Sequence, residues 1–212
     1  MKKQIILSFL LLSTALFAME NKTDKYLSKF KEKNKYERNQ LLIEAAKKGK
    51  ATKMNLLISL GADVCKETKR YDNTPLHAAA SQGNLACLKT LLSAGANVNA
   101  ITFDRSTPLH RAATNGQLAS VAALIQANAH INACDSRGNT PLHKAAAKEQ
   151  GECVGKLLTA GSNVSIVNKR GQTAREITKS EHIRTIINQF DEELQTAQKQ
   201  QSNGSPLTSS IP

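Results

Sequence analysis

Thr74-Pro75-Leu76-His77-Ala78-Ala79 returns as Thr107-Pro108-Leu109-His110-Arg111-Ala112 and again as Thr140-Pro141-Leu142-His143-Lys144-Ala145, each copy 33 residues after the one before. A fixed interval of that length predicts a solenoid of small helical units, each hiding its apolar side against the next. Every copy looks like a helix start. The Thr hydroxyl can accept from an exposed backbone N–H, and Pro suits the first helical position, where no N–H is needed.

Outward from the phrase the pattern continues. Gly83 and Gly116 end the first helix, and a second helix follows with apolar residues at Leu88, Leu91 and Leu92, at Val121, Leu124 and Ile125, and at Val154, Leu157 and Leu158. Their three- and four-residue spacing gives each second helix one apolar face. Gly95, Asn128 and Gly161 stand where a left-handed C-cap is needed. Asp, Gly and Asn then build a turn before the next phrase, as at Arg137-Gly138-Asn139. The result is a projecting hairpin-like finger. The fourth unit departs, with Glu149 in the inter-helix Gly slot and Gly151 two residues on, and His182 takes that slot in the last unit. The geometry of those two turns is left open.

Phrase, period and downstream pattern together make this chain similar to the ankyrin-repeat family. The resemblance implies an all-α solenoid of about five helix-turn-helix units with projecting hairpin-like loops, at about 40–69, 70–102, 103–135, 136–168 and 169–190. The two outer units are degenerate. The first carries Leu41-Leu42-Ile43-Glu44-Ala45-Ala46 without Thr-Pro, and Gln40, Lys47 and Lys48 give it the polar face of a terminal cap. The last, from Gly171-Gln172-Thr173-Ala174 through Ile183, Ile186, Ile187 and Phe190, looks like a closing repeat. The resemblance also gives the repeated His a structural role, holding its turn through hydrogen bonds.

Met1-Lys2-Lys3 followed by an apolar run to Ala18 has the form of a secretory signal peptide over 1–18, with cleavage after Ala15 or Ala18. The run is shorter than the ~20 residues that span a bilayer, so no membrane span is expected once it is removed. The short core and Lys-Lys start suggest a bacterial-type exported precursor, periplasmic or secreted, or an effector acting on another cell. Residues 19–39 form a basic linker or an extra helix leaning on the first unit. Residues 191–212, rich in Gln and Ser, are expected to be a disordered tail.

Net charge is +12, and residues 40 to 190 hold 19 Lys and Arg against 10 Asp and Glu. Such an excess favours acidic partners and faster encounter with them. Nucleic acid is not favoured, since no recognised reader motif accompanies the charge.

The four cysteines conflict with an exported chain, where pairing is usual. Cys87 and Cys153 share a slot two units apart, and Cys65 and Cys134 lie in fingers about two units apart. Helix layers stack roughly 8–10 Å apart, and a disulfide needs Cα atoms within about 7 Å. Four free thiols are therefore expected. His77, His110 and His143 lie in successive layers, too far apart for a shared metal at ~2 Å. No nucleophile–base set, phosphate loop or metal motif is present. No catalytic residue, metal or cofactor is expected.

In the family that this chain resembles, partners bind the concave groove between the fingers and the first-helix ladder. The residues here at those positions are Arg70, Tyr71, Phe103, Arg105, Arg137 and Arg170 on the fingers, with Lys48, Gln82, Asn115 and Lys148 on the ladder. Aromatic residues beside Arg are the combination enriched in binding hot spots. The expected function is non-catalytic capture of a protein partner with acidic patches by a single copy of the chain. The alternative is a nucleic-acid or anionic-surface binder driven by charge alone.

Overall fold

The computed structural model describes residues 35–67 and 73–203, with side chains to residue 199. The expected signal peptide, most of the 19–39 segment and the finger tip with Arg70 and Tyr71 lie outside the described residues. Ten α-helices occur among those described, and no strand. They are α1 Lys35–Lys47, α2 Ala51–Ser59, α3 Pro75–Gln82, α4 Leu85–Ser93, α5 Pro108–Thr114, α6 Leu118–Gln126, α7 Pro141–Ala147, α8 Gly151–Thr159, α9 Ala174–Ile177 and α10 Glu181–Asn203.

The odd-numbered helices pack in series, α1 on α3 on α5 on α7 on α9, and form the inner row. The even-numbered helices form the outer row, and each helix also packs on its own partner in the pair. Five units therefore stack in one direction. Leu76, Leu109 and Leu142 of the inner helices are sealed against Leu88, Leu91, Leu124 and Leu157 of the outer ones. Burying each such side chain stabilises by about 1.5–3 kcal/mol. The Ala79-Ala80, Ala112-Ala113 and Ala145-Ala146 pairs are fully buried, because only small residues let neighbouring inner helices approach closely.

The phrase works as its residues predict. Thr74 Oγ1 accepts from His77 N–H at 3.4 Å, and Thr74 N–H donates to His77 Nδ1 at 3.3 Å. Thr107–His110 and Thr140–His143 repeat this reciprocal cap. Thr173 does it with Glu176, whose Oε2 accepts from Thr173 N–H at 2.7 Å.

Gly95, Asn128 and Gly161 adopt the left-handed conformation expected of them. The open question at the fourth turn has a plain answer: Glu149 itself takes φ 58° and keeps the geometry of its neighbours. A Cβ on Gly83 or Gly116 would lie 2.0 or 2.1 Å from the amide oxygen of Gln117 or Gln150 in the following unit. The residue at that slot after Glu149 is Ile183, which turns into the core instead. The last unit is redrawn: α9 is four residues long, Thr178 is extended, and His182 falls inside α10.

Two boundaries differ from expectation. The first inner helix is already formed at Lys35, ahead of residue 40, and its buried Asn39 Oδ1 accepts from Asp63 N–H at 2.8 Å. That contact ties 35–39 to the loop that follows α2. At the other end, the expected disordered tail is 191–212, of which residues 191–203 continue α10 and 204–212 lie outside the described residues. Residues 191–203 contain no Gly or Pro and are mostly good helix formers. Ile183 and Ile187 of that helix are buried, whereas residues 192–199 are exposed.

Candidate partner-binding surface

The three fingers whose tips are described are each held shut at the base by one buried polar residue. Thr102, Asp135 and Asn168 occupy the same slot and are all nearly sealed from solvent. Asp135 Oδ1 accepts from Arg137 N–H at 2.8 Å and Asn139 N–H at 2.9 Å. Asn168 Oδ1 does likewise for Arg170 N–H and Gln172 N–H. Thr102 Oγ1 accepts from Ser106 N–H. The main chain closes the same loops, with Asp135 N–H to Asn139 O at 3.0 Å and Asn168 N–H to Gln172 O at 2.9 Å.

Fingers are also tied to each other. Ser136 N–H donates to Asp104 O, and Lys169 N–H donates to Arg137 O, each at 2.9 Å. Gly138 takes φ 75°, and a Cβ there would lie tightly at 3.0 Å from Lys169 N. Arg105 fills the equivalent slot in the preceding finger at φ 57°. That conformation is uncommon for a residue with a side chain.

The histidines join unit to unit. The Nδ1 of each accepts from its own Thr, so Nε2 carries the proton. It donates to Ser106 O from His77, to Asn139 O from His110 and to Gln172 O from His143, at 3.0, 2.9 and 3.0 Å. Burial pushes His77 down to about 4, against the favourable hydrogen bond to Ser106. Burial also lowers His110 and His143. These rings are neutral struts and not metal ligands.

All four cysteines are unpaired, with Cys87 and Cys153 buried and Cys65 and Cys134 exposed. Burial raises the Cys87 thiol and pushes Cys153 up to about 11, with Glu152 adding to it. Neither buried thiol is a ready nucleophile. Among the described residues no three His, Cys, Asp or Glu are placed to hold a metal ion.

Of the expected binding residues, Phe103 is 85% exposed, the most open large apolar side chain described. Arg105, Arg137 and Arg170 are exposed beside it along the row of fingers. On the ladder, Gln82 and Lys148 are exposed and available. Two others are already engaged. Asn115 Nδ2 donates to Ser81 O and Ser81 Oγ, joining units, and Lys48 pairs with Glu44 at 2.6 Å. Arg70 and Tyr71 fall outside the described residues.

Sequence reasoning passed over the variable fifth letter of the phrase: Ala78, Arg111 and Lys144. Arg111 pairs with Asp104 at 3.3 Å and Lys144 with the buried Asp135 at 2.6 Å, so inner helices brace fingers through charge. One varying position inside an otherwise constant phrase was the available signal. Arg111 also lines a recess of about 420 Å³ with Lys47, Asn73, His77, Ala78, Ser81 and Gln82.

Family models for ankyrin repeats match this chain twice, over residues 12–102 and over residues 109–158. This is an ankyrin-repeat protein. Its likeness to individual curated proteins is one repeat long. It is 67% identical over 33 residues to ankyrin repeat and SOCS box protein 5 of Homo sapiens, covering 16% of this chain and 10% of that protein. It is 56% identical over 34 residues to ankyrin repeat and SOCS box protein 11 of Homo sapiens, with the same shares. The chain thus spans about a tenth of the length of these relatives. Arrays of ankyrin repeats are generally non-catalytic modules for protein–protein interaction. No described helix is long and apolar enough to cross a membrane.

Proposed function

We propose that this ankyrin-repeat protein is exported and holds an acidic partner protein, as a single copy, on the face formed by its fingers and inner helices. The observation that carries the reading is Phe103, 85% exposed, on the same row of braced fingers as the exposed Arg105, Arg137 and Arg170. Leaving a large aromatic ring in water forgoes burial, and a partner surface supplies it. The surrounding cations suit an acidic rim and would accelerate encounter.

Site-specific photo-crosslinking in the native setting tests this. Crosslinkers at Phe103, Gln82 and Lys148 are expected to capture one protein that crosslinkers at the outer-helix residues Lys89 and Gln126 do not. Phe103→Ala with Arg105→Ala is expected to remove that capture while leaving the melting temperature nearly unchanged. Equal capture from both faces would overturn the reading. The charge-driven alternative has its own signature: binding to duplex DNA that ignores sequence, survives Phe103→Ala and collapses steeply with salt.

A further inference from the structure

We infer that the recess between the fourth and fifth fingers is a receptor for a phosphoryl group carried on a peptide segment of the partner. This rests on the protein-docking reading above and names the chemistry that one end of the surface selects.

The recess is about 420 Å³ and is lined by Ser136, Arg137, Asn139, Asn168, Lys169, Arg170 and Ile177. Three of these are cations, and no carboxylate is among them. None of the three forms an ion pair with a described residue. The nearest acid in sequence, Asp135, is buried at the finger base and already paired with Lys144. The third finger is the opposite case, because Asp104 stands beside Arg105 and is itself paired with Arg111. Positive charge is therefore left uncompensated at the fourth and fifth fingers.

The walls are fixed before any ligand arrives. Lys169 N–H bonds to Arg137 O, Asn168 Nδ2 donates to Asn139 Oδ1 at 3.0 Å, and Gly138 lies against the Lys169 backbone. Pre-ordering of this kind lowers the entropic cost of binding.

The charge count decides the ligand class. A single carboxylate brings one negative charge and satisfies one guanidinium fork. A phosphoserine-type group brings about −1.5 to −2 and three acceptor oxygens. Two Arg and one Lys around one recess match that group in charge, and Arg forks bind phosphate oxygens in pairs. The Ile177 side of the recess gives the peptide an apolar surface to lie on.

Fluorescence polarisation with the full chain tests the assignment. The probes are a degenerate peptide library with a fixed central phosphoserine, its unphosphorylated twin, and a twin with a Glu-Glu pair at the centre. The phosphoserine library is expected to bind at least about 10-fold tighter than either twin. Arg137→Ala with Arg170→Ala is expected to abolish that preference, whereas Lys89→Ala on the outer helix α4 leaves it intact. Circular dichroism confirms that these exposed substitutions keep the fold. Equal binding of the three libraries would overturn the assignment, as would equal loss with Lys89→Ala. So would a stronger preference of the chain for anionic lipid vesicles that disappears in the Arg137/Arg170 variant. If the double variant still captures the crosslinked partner, the phosphoryl assignment fails while the docking face stands.

Discussion

The interior units and the closing unit cap their inner helices with the same box but finish it with different residues. Units two to four use His77, His110 and His143, whereas the last uses Glu176. A histidine ring has two faces to its chemistry: Nδ1 serves its own Thr while the Nε2 proton reaches the next finger. A glutamate serves only its own Thr. Among the described residues no finger follows the closing unit, so a local acceptor suffices, and it is exposed where the rings are buried. The lesson is that this His is chosen for what lies one repeat further on.

The sharpest way to break the comparison is to delete one ring. His110→Ala removes the ring half of the cap and leaves Asn139 O and Thr107 N–H without that partner inside the structure. A loss of roughly 2–4 kcal/mol is expected, from a broken buried hydrogen-bond network. Glu176→Ala is expected to lower the melting temperature far less. Thermal unfolding followed by circular dichroism compares the two, and equal losses would erase the distinction.

Acid is the next probe, since it reaches all three rings at once. Their pKa values are depressed by burial, so the folded chain binds fewer protons than the unfolded chain below the ordinary His value. Their contribution is complete above about pH 6.5 and is lost as pH falls toward about 4, the value for His77. The melting temperature is expected to drop across that window. Asp104 and Asp135 are held below the usual carboxylate range despite their burial, by hydrogen bonds and by Arg111 and Lys144. Their loss comes only at lower pH. A melting temperature flat from pH 7 to 4 would show that the rings are not held neutral.

Smaller effects come from slots where one unit breaks ranks. Ser120 is fully buried with an unpartnered hydroxyl, in the place that Cys87 and Cys153 occupy elsewhere. Ser162 is buried and unpartnered where Ala62, Ala96 and Ala129 stand in other units. Ser120→Cys and Ser162→Ala are each expected to add about 1 kcal/mol by removing an unsatisfied group. Chemical denaturation reads this as a rise in midpoint at constant slope. The smallest effect belongs to Arg105→Gly, expected to stabilise by about 0.5 kcal/mol as relief at positive φ slightly exceeds the added chain entropy.

Most of the architecture was legible because the phrase fixes both a helix start and a period. The caps, the left-handed Gly95, Asn128 and Gly161, and the unpaired cysteines followed from register alone. Less was legible where tertiary contacts override local preference. Glu149 takes the left-handed turn that Gly83 and Gly116 take, which its local preference does not show. The extension of α10 past Phe190 was hidden by a polar composition that suits an exposed helix as well as a tail. At the candidate surface, exposure of Phe103, Arg105, Arg137 and Arg170 could be read from finger positions. The engagement of Asn115 with Ser81, and of Arg111 with Asp104, could not, because each pairs groups far apart in sequence or hidden in a variable letter.

The clasp from each ring to the following carbonyl gives the rod a sense of neighbourhood. A unit learns whether the next one is seated, since an absent neighbour leaves its Nε2 proton with no acceptor. Under tension in an optical trap, such a chain is expected to resist at the interior joints and yield first at its extremities. Cutting it after the fourth unit would strand the His143 proton and so weaken a segment that the scissors never touched.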